Sequence, residues 1–178
     1  MCGRFVFTDP SRIKSLLPDV IVDDQIIMEF RPNYNIAPTQ PVLAVLNDGS
    51  QALQYTRWGL IPSWAEDPSI GSRLINARRE SLAEKPMFRS LLIKRRCLIL
   101  AEGFYEWHQD KAHKRPYFIH RRGQAPLAFA GLWDIWNGPR GTILSSTIVT
   151  PAANELLRPI HARMPVILVP ASCPAWLS

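Results

Sequence analysis

Cys2 follows the initiator methionine directly. A residue this small permits removal of that methionine, and the product is a chain that begins with an α-amine and a thiol on adjacent carbons. The α-amine titrates near ~7.7–8.0, far below a lysine, so a useful fraction is neutral and nucleophilic at physiological pH. An aldehyde is the natural target. The amine gives a Schiff base, and the thiol then adds to the imine carbon to close a five-membered thiazolidine, a closure that proximity makes effectively unimolecular. The plain alternative is a small hydrophobe at a chain end. Gly3 and Arg4 bear on that choice, because glycine lets a backbone approach a ligand closely and Arg4 puts a phosphate-binding fork two residues from the nucleophile.

Glu106 stands in Gly103-Phe104-Tyr105-Glu106-Trp107, a run apolar enough to predict at least partial burial of the carboxylate. Desolvation there favours a group that exchanges protons with an amine or hydroxyl; a structural ion pair with an arginine is the other reading. His161, between Pro159 and Pro165, is a second proton-transfer candidate on a stiffened loop, although a lone histidine is commonly a hydrogen-bonded structural group. Asn76 heads Asn76-Ala77-Arg78-Arg79-Glu80. It reads as a helix N-cap, as an amide that holds a substrate oxygen at a helix start, or as both. Asn35, in Tyr34-Asn35-Ile36-Ala37-Pro38, is either a turn residue or a site-lining amide. Trp58, Trp64 and Trp107 could offer nucleobases a stacking platform or fill the core.

Other chemistries find no support. His108, His113 and His120 are irregularly spaced without partner cysteines or acids, so no metal is expected. Walker, GxGxxG and GxSxG motifs are absent, and no cofactor is implied. Cys2, Cys97 and Cys173 are an odd number without CxxC spacing, which argues against a disulfide framework and leaves at least one thiol free.

The elements that must position these residues read as strand-rich. Short β-branched or aromatic runs recur about every ten residues: Val42–Leu46, Ala52–Trp58, Cys97–Leu100, Phe104–Trp107, Tyr117–His120, Leu127–Leu132, Ile143–Val149 and Pro165–Val169. Asn47-Asp48-Gly49-Ser50 and Arg121-Arg122-Gly123-Gln124 have hairpin chemistry and predict antiparallel pairing. Helices are expected over Pro10–Leu17 after Asp9, over Asn76–Lys85, and over Pro151–Leu157 after Thr150. The expected class is α+β, a curved, barrel-like antiparallel sheet with a few flanking helices, in one domain spanning 1–178.

The 178 residues are 47% hydrophobic and 20% charged, which excludes disorder, and no apolar run approaches the ~18 residues of a membrane span. An intracellular protein is expected, since no secretory leader is visible. The net charge is +6, and the stretch from Arg73 to Arg96, with eight Lys/Arg and two Glu, accounts for all of it. A neutral body with one basic segment is the footprint of a polyanion binder, or else a solvated helix face.

Seven motifs in register, Met1-Cys2-Gly3-Arg4-Phe5, Tyr34-Asn35-Ile36-Ala37-Pro38, Trp58-Gly59-Leu60-Ile61-Pro62-Ser63-Trp64, Ile75-Asn76-Ala77-Arg78, Glu84-Lys85-Pro86-Met87-Phe88, Gly103-Phe104-Tyr105-Glu106-Trp107 and Ile160-His161-Ala162-Arg163-Met164-Pro165, resemble the SRAP family. These are the SOS-response-associated peptidase-like proteins that cross-link to abasic sites in single-stranded DNA. The resemblance spans nearly the whole chain. It implies that Cys2, freed by methionine removal, forms a thiazolidine with the ring-opened abasic deoxyribose. It carries Asn76, Glu106 and His161 over as active-site residues, with Arg4, Arg78 and Arg163 on the DNA backbone; Asn35 and Trp107 join them as DNA-lining candidates. Weak lyase activity through the imine, and a peptidase activity that removes residues preceding Cys2, accompany this reading, with a monomer in the cytoplasm and nucleoid, or the nucleus, as its setting. The family usually continues past the position of Ser178 through a segment that completes the sheet, so an exposed edge is expected there. The rival expectations are a cysteine hydrolase using Cys2 or Cys97 with His161 and Glu106, and a non-catalytic module that binds single-stranded nucleic acid.

Overall fold

Pro41–Leu46 (β3) and Arg96–Ala101 (β6) are almost continuously apolar, the pattern of strands buried on both faces, and they pair antiparallel in the middle of the larger of two sheets. The computed structural model describes residues 2–109 and 113–178. Leu53–Trp58 (β4) returns along β3 through the Asn47–Ser50 turn, where Gly49 has a φ of 86°. Leu127–Gly138 (β9) pairs with β6 on one edge, and on the other with Gly141–Thr150 (β10), which also pairs with β4. The ring β9-β6-β3-β4-β10 therefore closes on itself as a five-stranded barrel, with Ile167–Leu168 (β11) beside β9 and Asn76–Arg78 (β5) beside β10.

A second sheet of four strands runs in the order Asn33–Ile36 (β2), Arg4–Phe7 (β1), Gly103–Gln109 (β7) and Lys114–His120 (β8). Its inner face is locked to the barrel by rings: Phe5 of β1 and Phe104 of β7 each meet Phe129 of β9 edge-on, with centroids 5.9 Å apart. Three short helices, Asp24–Glu29 (α1), Pro86–Lys94 (α2) and Cys173–Leu177 (α3), flank the sheets. The α+β, barrel-like class is the one expected, and all eight expected strand runs overlap strands of the fold.

Several local expectations give way. β10 runs parallel to both β4 and β5, so pairing is not antiparallel throughout. Asn76–Lys85 is not a helix: Asn76, Ala77 and Arg78 register against Ile148, Val149 and Thr150, and the open edge of β10 satisfies backbone groups that a helix would otherwise have to pair internally. The segment then turns once over Arg79–Ser81 before Pro86 starts α2. Pro151–Leu157 is not a helix: Ala152 bridges Arg163 and turns run over 155–160, while Thr150 belongs to β10, where its hydroxyl donates to the Ala77 carbonyl instead of capping a helix. Pro10–Ser15 does turn helically, with the Asp9 carboxylate accepting from Ser11 N–H, but as a 3-10 helix. Arg121–Gln124 is no hairpin; with Gly123 at a φ of 75° it carries the chain from β8 in one sheet to β9 in the other. The hairpin that joins β7 to β8 falls partly outside the described residues.

The basic segment is also divided. Arg95 pairs with the buried Asp134 and lies 5.1 Å over the Trp133 ring, while Arg96 donates to the backbone oxygens of Leu92, Ile93, Trp176 and Ser178. Those two cations fasten α2 and α3 to the barrel. Arg73, Arg78, Arg79, Lys85, Arg89 and Lys94 are exposed.

Candidate functional site

The site is built where β1 enters its sheet and β5 leaves the barrel. Cys2 is fully buried just ahead of β1. The Asn76 side-chain amide donates to the Cys2 carbonyl at 2.8 Å, so the first strand of one sheet is tied to the edge strand of the other. Asn76 is not an N-cap, since no helix begins there. Its Oδ1 is buried and has no hydrogen-bond partner among the described residues, which leaves an acceptor at the site beside Cys2.

The placement of Asn76 comes from the core. Trp58 is fully buried, and its indole N–H donates to the carbonyl of Ile75 at 2.9 Å. The Phe5 ring meets the same indole edge-on at 4.9 Å, so β1 and the residue before Asn76 are gauged against one tryptophan. Trp58 is therefore a core strut and no stacking platform. Two glycines complete the support: Gly59, at a φ of 130°, approaches Gly71 so closely that a Cβ on it would stand 2.5 Å from the Gly71 oxygen. That approach lets the chain after β4 pack on the 3-10 turn Pro68–Arg73 that leads into β5.

Glu106 lies on β7 between Tyr105 and Trp107 and is buried, as the apolar run around it predicts. Burial, and after it the Glu106 carboxylate, push the Cys2 thiol well above its ordinary value of 9.0. The resting sulfur is thus a neutral thiol with a carboxylate in its field. Cys97 is likewise pushed up by burial, and Cys2, Cys97 and Cys173 are all free thiols.

His161 stands just after the turns over 155–160. Its Nδ1 lies 3.0 Å from the Arg163 N–H and 3.1 Å from the Arg163 carbonyl. The first contact suits a lone pair on Nδ1 and the second a proton there, so this ring has a backbone partner in either protonation state. Arg163 is held inward: its guanidinium donates to Glu80 at 2.9 Å and to the Thr150 carbonyl. The hydrogen bond from Arg163 in turn lowers the Glu80 carboxyl below its ordinary range. Thr150 is opposite Arg78 in the β10–β5 ladder, so Arg163 and Arg78 are brought to the same end of the barrel as Asn76.

The remaining candidates lie on the sheet. Arg4 donates to Asn35 at 3.4 Å, and Asn35 is exposed beside it on β2. Trp107 is 37% exposed. Sequence reasoning missed two contributors to this arrangement, Trp58 as the strut under Asn76 and Glu80 as the partner of Arg163. A tryptophan before glycine and an acid near an arginine are common patterns, and only the fold makes these into contacts. Among the described residues no three His, Cys, Asp or Glu side chains gather as metal ligands, and no helix is long and apolar enough to cross a membrane.

With that geometry in hand, the chain can be set beside proteins of known sequence and structure. The abasic site processing protein YoqW of Bacillus subtilis is 44% identical over 182 residues, covering 100% of this chain and 80% of that protein. The abasic site processing protein HMCES of Xenopus tropicalis is 34% identical over 172 residues, covering 79% of this chain and 51% of that protein. A crystal structure of a protein from Bacteroides thetaiotaomicron superposes with a TM-score of 0.87 at 27% identity, covering 99% of this chain and 81% of that one. The family model for SOS response associated peptidase (SRAP) matches residues 1–178, the whole span over which the seven motifs run in register. The chain belongs to the SRAP family.

Proposed function

We propose that this protein recognises abasic sites in single-stranded DNA and joins them covalently to its own N-terminal cysteine. One observation carries the reading: the Cys2 backbone is held by Asn76 while its thiol lies in the field of the buried Glu106. Methionine removal, at a residue outside the described ones, frees the Cys2 amine. The amine attacks C1′ of the ring-opened deoxyribose, the aldehyde oxygen leaves as water, and the imine forms. The thiol then adds across the C=N bond: sulfur bonds to C1′, and the thiol proton passes to the ring nitrogen. Because the thiol is neutral at rest, its proton must leave as the C–S bond forms, and Glu106, whose charge acts on that thiol, takes it. Asn76 Oδ1 accepts from a sugar hydroxyl, and His161 assists opening of the sugar ring.

Arg4, Arg78 and Arg163 contact backbone phosphates, the part of recognition that carries no sequence information, with Asn35 and Trp107 lining the path. The imine is open to β-elimination, so weak lyase activity accompanies the cross-link. The peptidase in the family description corresponds to removal of residues ahead of Cys2. A cysteine hydrolase is the weaker reading, because such enzymes rest as thiolates in electropositive surroundings, and here burial and a carboxylate act the other way on Cys2, as burial does on Cys97. The protein works inside the cell, as a monomer, without cofactor. Intact mass and peptide mapping of protein incubated with an abasic oligonucleotide test the proposal: loss of Met1 and an adduct on the N-terminal peptide support it, and an adduct on a lysine contradicts it.

A further inference from the structure

The sheet β2-β1-β7-β8 packs one face on the barrel and turns the other outward, and strand register decides which side chains share the outer face. Arg4, Tyr105 and Phe118 form one row across β1, β7 and β8; Gly103 and His120 lie in the next, and Trp107 faces Pro116 on the other side. Alternation puts these residues on the face opposite Phe5, Phe104 and Glu106. The rings are ordered against each other: Tyr105 and Phe118 have centroids 5.1 Å apart, and Phe118 and His120 stack at 5.3 Å with 22° between planes. A Cβ at Gly103 would strike the Phe118 ring at 2.5 Å, so glycine is what lets that ring lie against the backbone. The Tyr105 hydroxyl donates to the Tyr34 carbonyl at 3.2 Å and fixes the other end of the row. Phe118 is nevertheless 46% exposed, and His120 is exposed.

Charge frames the same face. Lys114 at the start of β8 and Arg121 and Arg122 just past its end are all exposed, and no acid occurs between Lys114 and Trp133. Lys114 shares the face of Phe118 and His120 by alternation. β8 is an edge strand, where Pro116 and the cations discourage pairing with another strand. Cations interleaved with exposed rings are the combination that holds unpaired bases, since every base has a π-face and every nucleotide a phosphate. The face is continuous with Arg4, two residues from Cys2.

We propose that Tyr105, Phe118 and His120 extend the path beyond Trp107 as a stacking surface for the unpaired bases that flank the lesion, with Lys114, Arg121 and Arg122 holding their phosphates. The inference rests on the abasic single-strand reading above and extends it from the lesion to its neighbours. It is tested by fluorescence anisotropy with a lesion-free single strand of about 15 nucleotides, using Phe118→Leu, which keeps an apolar cover over Gly103, and His120→Ala, at an exposed position. Each substitution weakens binding by about fivefold or more, and Lys114→Gln with Arg121→Gln lowers the slope of log affinity against log salt by about one for each cation removed. Covalent capture of a short oligonucleotide, with one nucleotide on each side of the lesion, proceeds at the wild-type rate in all of them. Wild-type affinity for the long strand in His120→Ala and Phe118→Leu overturns the proposal. So does an altered sedimentation coefficient with strand affinity unchanged, which would make the face a contact between copies. Failure of the abasic reading is a different result: the wild-type protein captures neither oligonucleotide, while strand affinity still reports on the aromatic face.

Discussion

The side-chain amide of Asn76 donates to the backbone carbonyl of Cys2 across 2.8 Å, and this single bond joins β5 on the barrel to the start of β1 in the second sheet. Cys2, the proposed nucleophile, is thus held through its main-chain carbonyl, an atom the proposed chemistry does not use. Asn76→Ala removes the tether and the free Oδ1 acceptor together. A hydrogen bond of this kind is worth about 0.5–1.5 kcal/mol, so the cross-linking rate falls about two- to tenfold from the tether alone, and the unfolding free energy falls by a similar amount. Single-turnover kinetics on abasic single strands check it.

Trp58 acts one step behind Asn76. Trp58→Phe leaves the Ile75 carbonyl without its indole donor and loosens the edge-on packing with Phe5. The expected cost is about 1–3 kcal/mol in unfolding free energy, read from a denaturant titration, together with slower cross-linking. Unchanged cross-linking in a destabilised variant would separate Trp58 from the site.

Glu106→Gln keeps the shape and removes the proposed base. Ring closure slows by about 10²–10⁴-fold, while the amine still forms an imine that borohydride traps, so the adduct becomes dependent on the reductant. The thiol supplies a companion test in pH. Its folded-state pKa is raised above 9.0, so the folded form keeps its proton where the unfolded form loses it. The resulting stability is fully present below about pH 9 and is lost as pH rises beyond it. Thermal melting of the wild type against Cys2→Ser shows this as a relative loss of stability in the wild type above pH 9.

Glu80 holds Arg163, the arginine proposed to contact DNA. Glu80→Gln frees the guanidinium from its carboxylate and removes a negative charge beside Arg78 and Arg79. Affinity for single strands rises about twofold or more at low salt, and the gain shrinks as salt is added. Because the Glu80 carboxyl is held below its usual range, the ion pair persists down into acid, and its contribution disappears only as pH falls through that lowered value.

The strands were largely legible because β3, β6 and the interior half of β9 carry continuous apolar runs that no other element explains as well. The segment around Asn76 was not, since Leu74, Ala77 and Leu82 fit a helical stripe equally well, and only the free edge of β10 selects the strand. Proline at 151 after Thr150 likewise mimics a helix start, although the threonine is engaged by Ala77. Burial of Glu106 could be read from its aromatic neighbours, which alternate onto two faces of β7. The Trp58–Ile75 and Arg163–Glu80 hydrogen bonds join positions 17 and 83 residues apart, and no local pattern announces them. Likewise, counting charge along the chain assigned Arg95 and Arg96 to the basic segment, whereas Asp134 and the backbone of α2 and α3 claim them.

Bonding of residue 2 to the lesion is directly observable. Protein lacking Met1 is incubated with an abasic single-stranded oligonucleotide and run, after heating, on a denaturing gel. A heat-stable shifted band is expected, formed without reductant and absent with Cys2→Ser and with an intact strand. No shifted band from the Met-free wild type, or an equal band from Cys2→Ser, would contradict it.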